Sequence, residues 1–476
     1  MYRKILFTTI LLVATKVFAE GPIVINIDSP EFKKLVTAIP PFKTEGQSPQ
    51  LAEFALGGQE ELGRLLEFTE FFKTMPPGGY QSILAKPFQD TKALPGFQEI
   101  DLLAWKAIQV DSLTLSTVKA DKAGHRIDLK TADIRFGTII LEKSYQFRSR
   151  VELDAILRRY ADLLLVKYTG KPGIFTTRLV FVGRKTKESK SQIYTCDIDG
   201  KNMRQMTKTN TIHISPSWSP DGNKILFTSY AANNPDLYQL DIMTNQSTRL
   251  ASAKGINSGG VFTHNSKLIA YSGSQNGETE LYLRVSDKAP RVDFLKGNRI
   301  AVDPVFSPNG KWLAYVSGKY GNPHIFRVDL EWNADNSLVR GTADKQLTFA
   351  GWWNANPAWS PDSKEIVFAG FDKEINRFDI FIVDPETRAL RRLTTASGSN
   401  VSPNFSPNGQ LIVFASNRIG NADKLGKYGL YIMSRDGRNQ RALELDLYEA
   451  TTPKWGPYLD LDEEIKSTSP VSRASR

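Results

Sequence analysis

The sequence predicts an α+β N-terminal domain followed by an all-β six-bladed β-propeller, and three observations carry that prediction. The first is a repeat. Pro216–Ser229, PSWSPDGNKILFTS, recurs in frame at Gly260–Gly273, Pro304–Ser317, Pro357–Gly370 and Pro403–Ser416. In each copy an aromatic residue (Trp218, Phe262, Phe306, Trp359, Phe405) ends one strand, a tight turn follows, and alternating apolar residues mark the returning strand. The aromatic anchors lie 44 to 53 residues apart. A period of that order with strand–turn–strand content belongs to propeller blades. The second observation is a register of Ile/Leu–Tyr/Phe pairs, each opening a third strand: Ile193-Tyr194, Leu237-Tyr238, Leu281-Tyr282, Ile325-Phe326, Ile380-Phe381 and Leu430-Tyr431. There are six pairs for five complete hairpins. The third observation accounts for the difference. Arg178–Gly183 matches a returning strand without its partner, and Pro453–Pro457 matches an incoming strand without its continuation. Joining them completes a sixth blade and leaves no open sheet edge.

In chain order, Met1–Ala19 reads as a secretory leader. Arg3 and Lys4 precede the apolar run Ile5–Ala14, and Val17-Phe18-Ala19 offers a cleavage site. The run is too short to span a bilayer, so the exported product is expected to be soluble and periplasmic. Cys196 is the only cysteine, which excludes an intrachain disulfide, and it is expected to be a small buried hydrophobe. The formal charge is +10, but the cations are scattered and not clustered with exposed aromatics, which disfavours nucleic-acid binding.

Residues 20–168 are expected to form the N-terminal domain. Ile23–Asp28 reads as a short extended segment, either a first strand or an arm that adds to a partner's sheet. Gln59–Met75 is predicted as a helix stopped by Pro76-Pro77, with a short helix at Leu102–Ile108 turning Trp105 inward. Strands are expected at Ser112–Val118, Arg126–Phe136 and Thr138–Phe147. Ser149-x-x-Glu152 is a capping box for a longer helix ended by Gly170 and Pro172. Residues 169–175 are read as a linker, 176–461 as the propeller and 462–476 as a disordered tail. Extra length at Glu331–Lys345 and Asn417–Lys427 is read as loops in the fourth and sixth blades.

Chemistry is hard to find. The chain lacks a Gly-x-Ser-x-Gly elbow, a P-loop and a dinucleotide fingerprint. Its four histidines, His125, His213, His264 and His324, have no metal-ligand spacing to one another. Asp197-x-Asp199-Gly200 has the flavour of a calcium loop without the downstream ligands and is read as a turn. No catalytic, cofactor or metal site is therefore expected. What remains is the rim, where the loops entering the innermost strands converge around the channel. Its candidate residues are Asn257, Ser258, Val302, Asp303, Asn354, Asn356, Asn400, Ser402, Thr451 and Thr452. Small and polar, they suit a protein-binding surface better than an active site.

These residues resemble the TolB family of the bacterial Tol–Pal system. The likeness rests on the exported start, the IVINIDS segment, Ala104-Trp105, Gly173–Arg178 entering the first blade, the WSPDG-type repeats and the closing Pro453–Leu459. It implies a non-enzymatic periplasmic adaptor whose propeller rim binds a Pal-type peptidoglycan-associated lipoprotein. It also implies that the N-terminal segment, here Ile23, Val24, Ile25, Asn26, Ile27 and Asp28, faces a TolA-type inner-membrane protein, in support of outer-membrane invagination at division and envelope integrity. Val302-Asp303 falls on a family rim loop, whereas Ile256 stands where relatives can place a histidine. An exported propeller enzyme, such as a polysaccharide lyase or a peptidase-associated domain, is the alternative. A carbohydrate- or wall-binding module would instead require aromatics on the rim, for which Trp352 and Trp353 are the candidates.

Overall fold

The computed structural model describes residues 33–458 apart from 70, 85–100, 276, 286–289, 298, 334–337, 396–397 and 420–421. The predicted leader, the Ile23–Asp28 segment and the tail lie outside the described residues.

The N-terminal part is one six-stranded sheet covered by helices. Strand β1 (Leu35–Ala38) lies parallel to β3 (Phe72–Thr74) and β4 (Ser112–Asp121), and β2 (Lys43–Glu45) also pairs with β4. Strands β5 (Gly124–Asp133) and β6 (Thr138–Phe147) continue it as an antiparallel meander, with Gly137 in the left-handed turn between them. Helices α1 (Pro49–Phe68) and α4 (Arg150–Thr169) pack together over this sheet, and the short α2 (Gln81–Leu84) and α3 (Leu102–Ala107) lie elsewhere on it. Trp105 of α3 is buried, as its spacing predicts.

The predicted Gln59–Met75 helix is displaced. Pro49 opens α1 ten residues earlier, and Gly57 and Gly58 mask the apolar period in between. Both glycines sit under tertiary neighbours: a Cβ on Gly58 would lie 3.0 Å from the Phe42 ring, and one on Gly57 would displace the Arg150 guanidinium. Phe72, read as the helix's last apolar residue, instead sits in β3 and is buried in the same core. In α4, Ser149 accepts from the Glu152 N–H, while the Glu152 carboxylate reaches back to the N–H of Arg148, one residue before the cap.

Six four-stranded sheets form the propeller. The closing blade, blade 1, is built from both ends of the ring: Glu449–Trp455 supplies the inner strand and pairs with Arg178–Arg184. Trp455 secures the join. Its N–H takes a hydrogen bond to Asn404 Oδ1 of the neighbouring blade at 2.7 Å, and its Nε1 donates to Thr177 at 2.8 Å. Cys196 is buried in this blade, and burial raises its thiol pKa well above the ordinary range. The two predicted loops are instead lengthened hairpins. Pairing extends to Trp332↔Leu338 in blade 4 and to Ile419↔Ala422 in blade 6.

Every inner strand is interrupted at one equivalent place. Two residues oppose one on the second strand at Ser215-Pro216, Gly259-Gly260, Asp303-Pro304, Asn356-Pro357, Ser402-Pro403 and Thr452-Pro453. The first residue of each doublet is left-handed, with φ between 47° and 66°. The second is proline in five of the six, where a missing N–H removes no ladder bond. The single residue opposite is always aromatic and buried: Phe181, Phe227, Tyr271, Tyr315, Phe368 or Phe414. Each meets the Tyr or Phe of the third-strand register, from Tyr194 to Tyr431, with ring centroids 5.7–6.0 Å apart. The second sequence register therefore records an aromatic pair per blade. Two residues before the bulge, blades 2, 3, 5 and 6 carry a buried polar side chain that fastens the incoming linker, where blades 1 and 4 have Ala450 and Ala301. In blade 2 it is His213, whose Nε2 lies 2.7 Å from Thr209 Oγ1 and whose Nδ1 has no partner.

The N-terminal domain docks on the face opposite the strand-entry loops. Glu61 and Arg64 of α1 and Arg158 of α4 meet Asp197, Asp199 and Lys201 at a turn of blade 1. Arg158 lies 3.0 Å from Asp199 and 3.3 Å from Asp197, Arg64 lies 2.5 Å from Asp199, and Lys201 lies 2.9 Å from Glu61. Burial alone would raise the Glu61 carboxyl, but Arg64, Lys201 and Arg158 hold it below its ordinary value. The Asp197–Gly200 turn is thus an interdomain anchor. Asp162 of α4 adds a clamp by accepting from the N–H groups of Phe175 and Thr176 at 2.8 and 3.0 Å. Gly173 is required there, because a Cβ would lie 2.0 Å from Asp162 Oδ1.

Two outcomes follow. Trp455→Ala should lower the unfolding free energy in urea by about 3–5 kcal/mol, the range for deleting a buried Trp side chain; a loss within error of zero would show that this residue does not secure closure. Burial pushes His213 down to about 4. An unfolded histidine titrates near 6.5, so between those values the unfolded chain takes up a proton that the fold refuses, and stability falls as pH falls. His213→Asn, which places the residue of blades 3, 5 and 6 at this position, should lose about 2–3 kcal/mol less than the wild type between pH 7 and 4.5.

Candidate functional site

The predicted rim residues separate by side-chain direction. Asn257, Asn354 and Asn400 occupy the fastening position of His213, and all three are buried. Asn257 Nδ2 donates to the carbonyls of Ala253 and Gly255 at 2.6 and 3.2 Å. Asn354 Nδ2 lies 2.9 Å from His324 Nδ1 and donates to Ala350 O at 3.0 Å. Asn400 Nδ2 donates to Asp379 Oδ1 at 3.0 Å while its Oδ1 accepts from Arg418 at 2.6 Å. These three side chains are buried and hydrogen-bonded inside their own blades, unlike the predicted residues that line the channel. A polar residue at the mouth of a strand carries the same sequence signature whether it fastens a linker or faces a ligand.

The next two positions point differently. Ser258, Val302 and Thr451 are half-buried ladder residues, with Ser258 accepting from Thr228 Oγ1 at 2.9 Å. Asp303, Asn356, Ser402 and Thr452 are the left-handed bulge residues, and with Ser215 and Gly259 they ring a central cavity of about 70 Å³. A hydrogen-bonded arc joins three adjacent blades there. The backbone N–H and Nδ2 of Asn356 donate to Asp303 Oδ2, each at 3.1 Å, and Ser402 Oγ donates to Asn356 Oδ1 at 3.3 Å. The arc fixes the side chain of Asp303, which keeps one oxygen free of these bonds.

Sequence reasoning underweighted the apolar surface beside this ring. The linkers into the inner strands and the turns between second and third strands lie at the same end of every blade. Ile212, Tyr230, Ile256, Tyr320, Phe349, Trp352, Trp353 and Ile375 belong to those segments, and all are exposed. Tyr320, Phe349 and Trp352 are 68%, 63% and 49% exposed. Beside Trp352 opens a cleft of about 460 Å³ lined also by Phe371, Phe381, Asp372 and Arg392. Its aromatic faces are already engaged: Lys373 Nζ lies 4.5 Å from the centre of the Trp352 ring, and the Arg392 guanidinium 5.6 Å from that of Phe381.

Among the described residues, no group of three or more His, Cys, Asp or Glu is placed to hold a metal ion, and no helix is long and apolar enough to cross a membrane. The Asp197/Asp199 turn, the calcium-like motif of the sequence, is paired with Arg64 and Arg158.

The sequence is similar to the Tol-Pal system protein TolB of Desulfosudis oleivorans, 31% identical over 260 residues, which is 54% of this chain and 57% of that protein. It is also 31% identical over 277 residues to a TolB homolog of Chlorobium chlorochromatii, covering 58% of this chain and 59% of the relative. The chain thus spans under two thirds of the length of these curated relatives. The crystal structure of TolB from Acinetobacter baumannii superposes with a TM-score of 0.71 over 89% of this chain and 97% of that one, at 23% identity, and shares the fold. The model of the TolB beta propeller domain matches residues 165–459. By that match, over more than half of its length, the chain belongs to the TolB β-propeller family.

Proposed function

We propose that the protein is a non-enzymatic periplasmic adaptor of a Tol–Pal system, whose propeller rim binds a Pal-type peptidoglycan-associated lipoprotein. The observation that carries the reading is the composition of one face. A ring of bulge side chains around the channel is bordered by exposed Tyr, Phe, Trp and Ile residues, while the N-terminal domain contacts a turn of blade 1 on the opposite face. Contiguous exposed apolar surface bordered by polar groups marks protein–protein contact, and aromatic residues concentrate the energy of such contacts. Relatives named as Tol–Pal system proteins supply the partner class.

The second contact belongs to the N-terminal segment. Ile23–Asp28 alternates as a strand does, and such a segment can add to the sheet edge of a TolA-type partner through main-chain hydrogen bonds. Two partners on one chain would couple through the interdomain ion cluster, which ties α1 and α4 to blade 1. The role in outer-membrane invagination and envelope integrity follows from this bridging. The enzyme reading has no observation in its favour.

The test is capture of the lipoprotein from envelope extract, followed by affinity measurement with purified partner. Trp353→Ala and Asp303→Ala should each weaken binding about 10- to 100-fold, the range for central interface residues, while Val285→Ala, in an exposed segment away from the rim, should not. Failure of folded wild-type protein to retain any such lipoprotein, or equal affinity in all variants, would sink the assignment.

A further inference from the structure

One charged side chain in the channel has no structural use. Lys454 lies two residues past the blade 1 bulge and lines the central cavity with Ser215, Asp303, Ser402 and Thr452. The equivalent residues of the other blades are Ser217, Val261, Val305, Ala358 and Asn404, so the pseudo-sixfold ring carries one cation at this level. The ordinary task of the position is contact between blades. Ser217 Oγ donates to Gly260 O at 2.6 Å, and Asn404 Oδ1 accepts the Trp455 N–H at 2.7 Å.

Lys454 performs no such task. Among the described residues its ammonium has no hydrogen-bond or ion-pair partner. Enclosure pushes its pKa down, opposed by the charge of Asp303. Blades 1 and 4 stand opposite each other in the ring, and Asp303 Oδ2 is already occupied by Asn356. On the same strand, the buried Thr452 Oγ1 also lacks a partner. A half-buried ammonium that lines the cavity and a buried, unsatisfied hydroxyl on the same strand both favour an incoming acceptor.

We propose that Lys454 Nζ and Thr452 Oγ1 receive the carboxylate of an acidic side chain that a protein docked on the rim inserts into the channel. The inference rests on the protein-binding reading of the rim and adds the chemistry of the inserted group. A cavity of about 70 Å³ accommodates a carboxylate but no secondary-structure element. Asp303 across the channel disfavours a doubly charged phosphate, whereas a single negative charge is offset by Lys454. The charge-assisted N–H···O bond is the strong kind, made stronger by exclusion of water.

The test uses the full chain without its predicted leader, acetate as a probe, and the purified Pal-type lipoprotein. Acetate should bind the wild type and Lys454→Arg, and at least tenfold more weakly to Lys454→Met. Lipoprotein affinity should fall about 30-fold or more in Lys454→Met, as for truncation of one partner of a buried charge pair, while the Tm stays level or rises because the free chain loses no side-chain hydrogen bond or ion pair. A lowered Tm would mark Lys454 as an internal strut held by Asp303 and overturn the proposal, as would unchanged lipoprotein affinity. Wild-type protein that binds acetate through Lys454 yet captures no lipoprotein would sink the partner assignment and leave the carboxylate site supported.

Discussion

The channel exists because six inner strands break their ladders at one level. Each break puts two residues against one aromatic, forces the first of the two into a left-handed backbone, and turns its side chain toward the axis. Holding a non-glycine residue there costs on the order of 1–3 kcal/mol, and five of the six positions are not glycine. Thr452, with φ of 47°, is the extreme case, since its branched Cβ crowds the backbone. What holds the strained residues is the aromatic pair beneath each bulge, such as Tyr315 with Phe326 or Phe414 with Tyr431. Burial of two rings per blade supplies several kcal/mol, enough to exceed the strain. The rim is thus a by-product of blade packing, and the residue type at the bulge can vary as long as the rings stay.

Closure and docking converge on the same blade. Blade 1 holds the join between the two ends of the ring, and its turn Asp197–Lys201 receives the N-terminal helices. Three buried carboxylates meet there with the buried Arg158 and the more exposed Arg64 and Lys201. Such a cluster contributes little relative to apolar packing, but losing one member strands the others at a cost of several kcal/mol. Its value is orientation: it fixes where α1 and α4 sit, while apolar packing through Ile174 and Phe175 carries the burial. An event that displaced these helices would act first on blade 1, the blade that also carries Thr452 and Lys454.

The propeller was legible because its information is periodic. Six Tyr/Phe pairs and five turns at matched spacing leave one arrangement that closes, and the split blade follows from counting. The N-terminal domain was less legible. Helix α1 contains a Gly-Gly step whose reason, the approach of Phe42 and Arg150, is tertiary, and Phe72 obeys helical spacing while belonging to a strand. At the rim, composition identified the right segments and could not assign directions. Asn354 and Asn356 are two residues apart and of one type, yet the first fastens a linker and the second faces the channel. Only the bulge between ladder positions separates them. Of the apolar border from Tyr320 to Ile375 only Trp352 and Trp353 were legible, because its members are scattered over linkers and turns of separate blades.

The division between fastening and facing residues bears on how such a rim can change partners. The His213, Asn257, Asn354 and Asn400 side chains fasten their own linkers, so a substitution that removes those bonds leaves buried donors or acceptors unmatched and costs stability. The bulge level is less constrained: Asp303, Asn356 and Ser402 are tied by their arc, but Ser, Gly, Asp, Asn, Ser and Thr already coexist at one structural position in this chain. Binding specificity can therefore drift most freely at the bulges outside the arc, at the apolar border and at the Lys454 level. A scaffold with that separation permits a family to keep its architecture at low sequence identity, while each member's channel acquires its own charge pattern.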